Sequence, residues 1–258
     1  MSRLPIEDAL PDLRRILTEG CNALLTAAPG AGKTTRVPLA LLDAPWLAGK
    51  NLLMLEPRRL AARAAAHRMA ATLGEPVGQT VGYRMRLDTK VGPATRIEVV
   101  TEGILARLLQ NDPALSAYAI VLFDEFHERS LQADTGLALC LESQRIFRPD
   151  LRLLVMSATL DCGPVSKLLG QAPVIACEGQ MFPVETRYLE QPLSGHLDVA
   201  VVQSIKRALT QDPGSLLVFL PGMAEIRRVE RKLLDLNLSS HILIAPLHGD
   251  LQQEAQAR

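Results

Sequence analysis

Nine residues carry the first chemical signal in this sequence: Ala27, Ala28, Pro29, Gly30, Ala31, Gly32, Lys33, Thr34 and Thr35. Small residues over 28–32 let backbone N–H groups fold around phosphate oxygens, and a helix opening behind them adds its partial positive charge. In that setting Lys33 reaches the β- and γ-phosphates of a nucleotide, and the Thr34 hydroxyl sits on Mg²⁺. Ala27 stands where such a loop usually has its first glycine. Taken alone, the stretch also reads as an ordinary glycine–proline turn that starts a helix. Its neighbours decide between the two.

The second signal is Val121-Leu122-Phe123-Asp124-Glu125, an apolar run ending in two carboxylates. In a nucleotide-binding sheet, Asp124 falls on the Mg²⁺ shell. Glu125 is then placed to orient and deprotonate an attacking water. The ordinary alternative is a solvated cap at a strand end. His127 follows two residues later, and Asp-Glu-x-His beside a phosphate loop is a sharper pattern than a lone histidine.

These residues need a scaffold, and the chain supplies strand–helix alternation. Residues 23–26 precede the loop and Arg36–Leu42 suit a helix after it. Leu4-Pro5-Ile6 leads into a helical pattern with Leu10, Leu13, Ile16 and Leu17 on one face and Gly20 as its stop. Leu52-Leu53-Met54-Leu55 is a buried-strand run, ended by Glu56-Pro57-Arg58-Arg59, and an alanine-rich helix continues to Leu73. Further strands are expected over 96–100, 119–123 and 151–156, with helices over 102–110 and 130–144. The pattern predicts an α/β fold with a parallel, doubly wound sheet. Ligands on such sheets lie at the carboxyl ends of strands, where Ala27, Glu56, Thr101, Asp124 and Ser157 fall. A turn-rich stretch over 178–183 reads as a linker. Beyond it come a helix over 196–210, a strand over 216–220, a helix over 224–236 and a strand over 242–245. That is too little to bury an independent domain of this type.

With 258 residues, 48% of them apolar, a sizeable core is expected and wholesale disorder is excluded. Lys plus Arg and Asp plus Glu both number 28, so any nucleic-acid surface must come from local clustering. Cys21, Cys140, Cys162 and Cys177 lie far apart and read as small buried hydrophobes in a reducing compartment. There is no signal-peptide core and no apolar run of about 18 residues, so a cytoplasmic location without membrane contact is expected.

The order of motifs resembles that of the DEAH-box ATP-dependent helicases of superfamily 2. Residues 27–35 resemble their phosphate loop, and Glu56-Pro57-Arg58-Arg59-Leu60-Ala61-Ala62 their Pro-Arg-Arg-x-Ala-Ala motif. Val81-Gly82-Tyr83-Arg84-Met85-Arg86 is similar to Val-Gly-Tyr-x-Ile-Arg, and Thr101-Glu102-Gly103 to Thr-Asp/Glu-Gly. Asp124-Glu125-Phe126-His127-Glu128-Arg129-Ser130 is the family box with Phe126 in place of alanine. Ser157-Ala158-Thr159 matches the motif that couples ATP state to domain closure. Phe182-Pro183-Val184-Glu185 and residues 217–222 resemble the entry into a second domain.

The resemblance implies a RecA-like P-loop NTPase domain over 1–178 and an incomplete second RecA-like domain over 179–258. It implies ATP and Mg²⁺, with Lys33, Glu125, His127, Ser157 and Thr159 in catalytic or reporting roles. Arg68 matches a position that stacks on the nucleotide base. Partners would be single-stranded or partly duplex nucleic acid, RNA favoured and a DNA helicase the alternative, gripped by Arg58, Arg59, Arg84, Thr101 and Gly103. Independently of the family, Arg59, Arg63 and His67 share one stripe of a helix, which suits phosphate contacts or an ordinary solvated face. The family's Gln-x-x-Gly-Arg-x-Gly-Arg motif, with its arginine fingers, does not occur in these residues. A helicase fragment is therefore expected, its oligomeric state open with a monomer favoured. A non-catalytic, ATP-responsive binding module is the other reading.

Overall fold

In the computed structural model, the described residues are 3–20, 22–158, 162–177, 183–189, 195–236, 238–248 and 251. The chain divides into two compact units, Met1–Phe182 and Pro183–Arg258.

The first unit is organised on an eight-stranded sheet. Its strands are β1 Asn22–Ala27, β2 Asn51–Glu56, β3 Val81–Met85, β4 Asp88–Lys90, β5 Ile97–Thr101, β6 Tyr118–Phe123, β7 Arg152–Ser157 and β8 Val174–Cys177. They lie in the order β4-β3-β5-β2-β6-β7-β1-β8. Every pairing is parallel except the β3–β4 hairpin. Its helices are α1 Leu10–Glu19, α2 Lys33–Leu41, α3 Arg59–Leu73, α4 Glu102–Asn111, α5 Leu131–Ile146 and α6 Cys162–Leu168.

Alternation along the strands divides the core into two layers. Leu25, Leu52, Met54, Val99, Leu122 and Met156 face α1, α2 and α3. Leu24, Leu53, Leu55, Val100, Val121 and Phe123 face α4, α5 and α6. A sheet covered on both faces needs apolar residues at consecutive positions, which is why its central strands read as unbroken apolar runs. Three strands and one helix go beyond the sequence expectation. β3 interleaves Gly82 and Arg84 among apolar residues, β4 has only three residues, and β8 has four. α6 opens on Cys-Gly-Pro, which masks its helical period. Gly82 allows the hairpin to close, since a Cβ there would lie 2.6 Å from the Lys90 carbonyl oxygen.

The second unit holds α7 Leu197–Gln211 and α8 Met223–Leu234. They pack through Val202, Ile205, Val229 and Leu233, and Lys232 pairs with Asp198 at 3.2 Å. The strands expected over 216–220 and 242–245 are not formed among the described residues, which corrects the sequence reading. A strand exists only through a hydrogen-bonded neighbour, and apolar character alone does not provide one. Leu217, Phe219 and Leu243 are 76%, 87% and 77% exposed, and Leu220 and Ile244 are the residues of these runs that pack, part-buried, against the helix pair. The linker expected over 178–183 falls mostly outside the described residues.

Candidate functional site

The site is assembled at the carboxyl edge of the sheet from strands far apart in sequence. β1 ends at Ala27, and a tight turn follows in which the Ala31 N–H donates to the Ala28 carbonyl at 3.1 Å. Gly32 then starts α2 with φ of 97°, in the left-handed region that glycine occupies without strain. A short 3-10 helix, Pro5–Asp8, braces this loop: the Ile6 N–H donates to the Ala31 carbonyl at 3.2 Å, and Arg36 pairs with Glu7 at 3.6 Å. A Cβ on Gly32 would meet the Leu4 side chain at 2.7 Å. The sequence reading missed this brace, because a Leu-Pro-Ile lead into a helix carries no sign of what it packs against.

Lys33, the first residue of α2, is buried, and its Nζ lies 2.7 Å from Glu125 Oε1. The Thr34 hydroxyl donates to Asp124 Oδ2 at 2.5 Å, and the Glu125 N–H donates to Asp124 Oδ1 at 2.8 Å. Asp124 emerges at the end of β6, fixed by its own N–H on the Leu55 carbonyl at 3.1 Å. Burial pushes its carboxyl up, while the Thr34 hydroxyl and the Lys33 ammonium pull it down. Glu125 carries its side chain from a backbone with φ of 50° and ψ of 34°.

Glu125 Oε2 is 3.4 Å from His127 Nδ1, and the same nitrogen accepts from the Ala158 N–H at 3.4 Å. Nδ1 cannot do both at once. A neutral ring with an unprotonated Nδ1 accepts from Ala158, whereas a protonated Nδ1 donates to Glu125. His127 therefore stands between the carboxylate and the backbone after Ser157, which ends β7 and is buried. Thr159 lies outside the described residues.

Glu56, at the end of β2, adds a third carboxyl group. It is 2% exposed, its Oε1 has no hydrogen-bond partner among the described residues, and burial beside Asp124 pushes its carboxyl up to about 9. The sequence reading placed Glu56 at the carboxyl edge and gave it no role.

The fold brings Thr34, Thr35, Glu56, Arg58, Arg68 and Glu125 to the wall of one cleft of about 430 Å³. The donor set suits Mg²⁺, a hard cation held by oxygen: a hydroxyl and a carboxylate already in contact, beside a buried acid oxygen without a partner. Residues 28–32 form the turn between β1 and Lys33, with Gly30 in open space.

The expected nucleic-acid residues are distributed differently. Arg58 is exposed and pairs with Glu128 at 2.9 Å, and Arg59 is exposed. Arg84 donates to Glu98 Oε1 at 2.6 Å, and the Tyr118 hydroxyl donates to Glu98 Oε2 at 2.8 Å, so Arg84 neutralises a buried carboxylate. On the stripe of α3, Arg63 pairs with Asp88 and lies 5.9 Å from the Tyr83 ring centroid, which His67 meets at 6.2 Å. Those two side chains pack the β3–β4 hairpin onto α3. Thr101 closes β5, and Gly103 is exposed in the first turn of α4. Between them Glu102 accepts from the Ser130 hydroxyl at 2.7 Å, which ties this motif to the helix cap that follows residues 124–129.

Comparison with known proteins gives consistent matches. The DEAD/DEAH box helicase family pattern matches residues 8–168. The chain is 50% identical to the ATP-dependent RNA helicase HrpB of Escherichia coli (strain K12), over 100% of this chain and 32% of that protein. A crystal structure described as the E. coli DEAH/RHA helicase HrpB superposes with a TM-score of 0.92, over 98% of this chain and 32% of that one. Another, described as the E. coli DExH-box NTPase HrpB, gives 0.83 over 100% and 32%. Both are 50% identical to this sequence. The chain thus spans about a third of the length of the relatives it matches.

Proposed function

This chain belongs to the DEAD/DEAH box helicase family, and from that premise we propose that it carries the nucleotide half-site of an ATP-driven RNA helicase. One observation carries the reading: Lys33 and Thr34, at the start of α2, meet Asp124 and Glu125, just after β6, in direct hydrogen-bonding contact. On this reading, residues 1–178 are the ATP-binding RecA-like domain and residues 179–258 begin a second one. The setting is cytoplasmic, and the partner is a single-stranded or partly duplex RNA.

Each residue's part follows from its chemistry. The loop over 28–32 cradles phosphate oxygens with backbone N–H groups, and Lys33 meets the β- and γ-phosphates. Thr34 and Asp124 hold Mg²⁺, which when bound neutralises charge on the phosphate oxygens. Lys33 is engaged with Glu125; a phosphate that takes the ammonium frees the Glu125 carboxylate to orient a water and accept its proton. Arg68, on the same cleft wall, packs on the base. His127, with Ser157 and Thr159, relays the state of Glu125 to the strand-binding face through the Ala158 backbone. Arg58, Arg59, Thr101 and Gly103 grip the nucleic-acid backbone, while Arg84 is held on the buried Glu98 carboxylate.

Turnover by these 258 residues is slow. Lys33 and Mg²⁺ cover one side of the departing phosphoryl group, and the arginine-finger motif that covers the other side in the family is not in this sequence. Lacking a finger typically lowers the rate by ~10³–10⁵. The test is calorimetric titration with Mg-ADP, followed by phosphate release from ATP with and without poly-uridine. Lys33→Ala should weaken ADP binding by about tenfold or more, since a charge-assisted phosphate contact contributes ~1.5–3 kcal/mol. Equal affinity in the two proteins removes Lys33 from the site. Strong RNA-stimulated turnover means that an arginine within this chain serves as the finger.

A further inference from the structure

We propose that Glu56 is a further positioning residue of the cation site, with Oε1 accepting a hydrogen bond from a water on the divalent cation held by Thr34 and Asp124. The inference rests on the nucleotide-site reading above and deepens it.

Placement comes from the sheet. β2 and β6 are parallel neighbours, with Leu55 beside Phe123, and the Asp124 N–H is bonded to the Leu55 carbonyl. Glu56 and Asp124 therefore leave adjacent strands together at the carboxyl edge. Every other residue of β2 after Asn51 is apolar and fully packed, so a carboxyl at the next buried position breaks the pattern of its own strand. Leaving a buried polar atom without a partner costs ~1–3 kcal/mol, a penalty that an ordinary core position avoids with leucine or valine. Here the atom without a partner is Oε1 of a residue that lines the cleft beside Thr34 and Thr35.

The chemistry of the cation explains what that oxygen is for. Mg²⁺ binds through one or two protein oxygens and retains several waters. Each water donates two hydrogen bonds and needs acceptors around it. Thr34 and Asp124 are already bonded to each other, and Glu125 is bonded to Lys33. Glu56 Oε1 is the buried carboxyl oxygen at this cleft with no bond among the described residues.

The experiment compares ADP affinity in Mg²⁺ with ADP affinity in EDTA, by calorimetry, for the 258-residue chain. Glu56→Gln keeps the shape and the acceptor oxygen. Glu56→Met keeps the volume and removes the acceptor. Wild type and Glu56→Gln should share one Mg²⁺-to-EDTA affinity ratio, and Glu56→Met should lower it about tenfold, the usual effect of losing an outer-shell partner. Affinity in EDTA should not move, which separates the role from a merely structural one. Mn²⁺ binding read by electron paramagnetic resonance should rank the proteins in the same order. If Glu56→Met does not fold, Glu56→Ala takes its place. A ratio unchanged in the variant that lacks the acceptor overturns the assignment, as does a Glu56→Gln ratio that falls equally far. A wild-type chain whose ADP affinity ignores Mg²⁺ overturns the site reading itself, and Glu56 with it.

Discussion

The two edges of the central sheet handle buried charge in opposite ways. At the amino edge, near the starts of β6 and β7, Arg148 is 8% exposed and has a partner for every nitrogen of its guanidinium. It donates to the carbonyls of Ala114, Leu115 and Tyr118 at 3.1, 3.3 and 3.2 Å, and twice to Asp150 at 2.8 Å. At the carboxyl edge, Glu56, Asp124 and Glu125 crowd three carboxyl groups around one ammonium, and Glu56 Oε1 has no partner among the described residues. A planar fork on three carbonyls satisfies its neighbours outright and ties loop to strand. Three acids around one lysine hold together under tension, which a ligand carrying cations would relieve. One edge is finished by folding. On the nucleotide-site reading proposed above, the other is finished by binding.

The strongest way to break this contrast is to open the closed edge. Arg148→Ala strands three carbonyls and should destabilise the first unit by about 3 kcal/mol. A drop of that size lowers the melting temperature by ~6–12 °C for a unit of this length, without changing the loop residues. Calorimetric melting with and without Mg-ADP checks both halves: the loss should appear in each condition, and the stabilisation by ligand should stay the same. Loss of the ligand effect would show the two edges to be coupled.

A smaller effect separates the arginines. Replacing Arg58 and Arg59 with alanine should reduce the log–log salt slope of single-stranded RNA binding by ~0.7 per lost phosphate contact. Arg84→Ala should act mainly on stability, since it strands the buried Glu98 carboxylate. Fluorescence anisotropy with a labelled RNA at several salt concentrations, beside urea melts of the same proteins, tests the pair. A slope that falls only for Arg84→Ala would exchange their roles.

The smallest effect is a pH dependence. The Arg148 guanidinium holds the Asp150 carboxyl at about 2, below its ordinary 3.8. A depressed carboxyl stabilises the fold above about 3.8, and that contribution is lost as pH falls through about 2. Wild type should therefore be slightly more stable than Asp150→Asn at neutral pH, with the gap narrowing from pH 4 and closing near 2. Asp150 is 60% exposed, so solvent screening keeps the gap small. Acid unfolding followed by circular dichroism measures it, and a gap that widens toward low pH contradicts the pairing.

How much of this was readable beforehand depended on what each residue needs for its meaning. β1, β2, β5, β6 and β7 showed as continuous apolar runs because both faces of those strands are covered, and the helices between them kept their period. β3 was hidden because Arg84 interrupts its apolar pattern, and only the β3–β5 pairing reveals that Glu98 receives that charge. Lys33, Thr34, Asp124 and Glu125 were legible through spacing and strand context, and the fold brings them together. Glu56 was not, because a carboxylate at a strand end ordinarily reads as solvated. Its burial follows from β5 and β6 flanking β2, which no local pattern encodes. The runs over 216–220 and 242–245 erred the other way: strand composition was present and a hydrogen-bonded neighbour was not.

The turn at Glu125 has a consequence for engineering. A left-handed backbone is most cheaply filled by glycine, and a non-glycine residue there forgoes ~1 kcal/mol or more. The chain keeps a long acidic side chain at φ of 50°, and Lys33 is its partner. Glycine at 125 would relax that turn and also leave the buried Lys33 ammonium without its carboxylate, so a screen by heat resistance reads the difference between the two. Where the relaxed turn wins, the survivors would be well-folded proteins with no carboxylate beside Lys33.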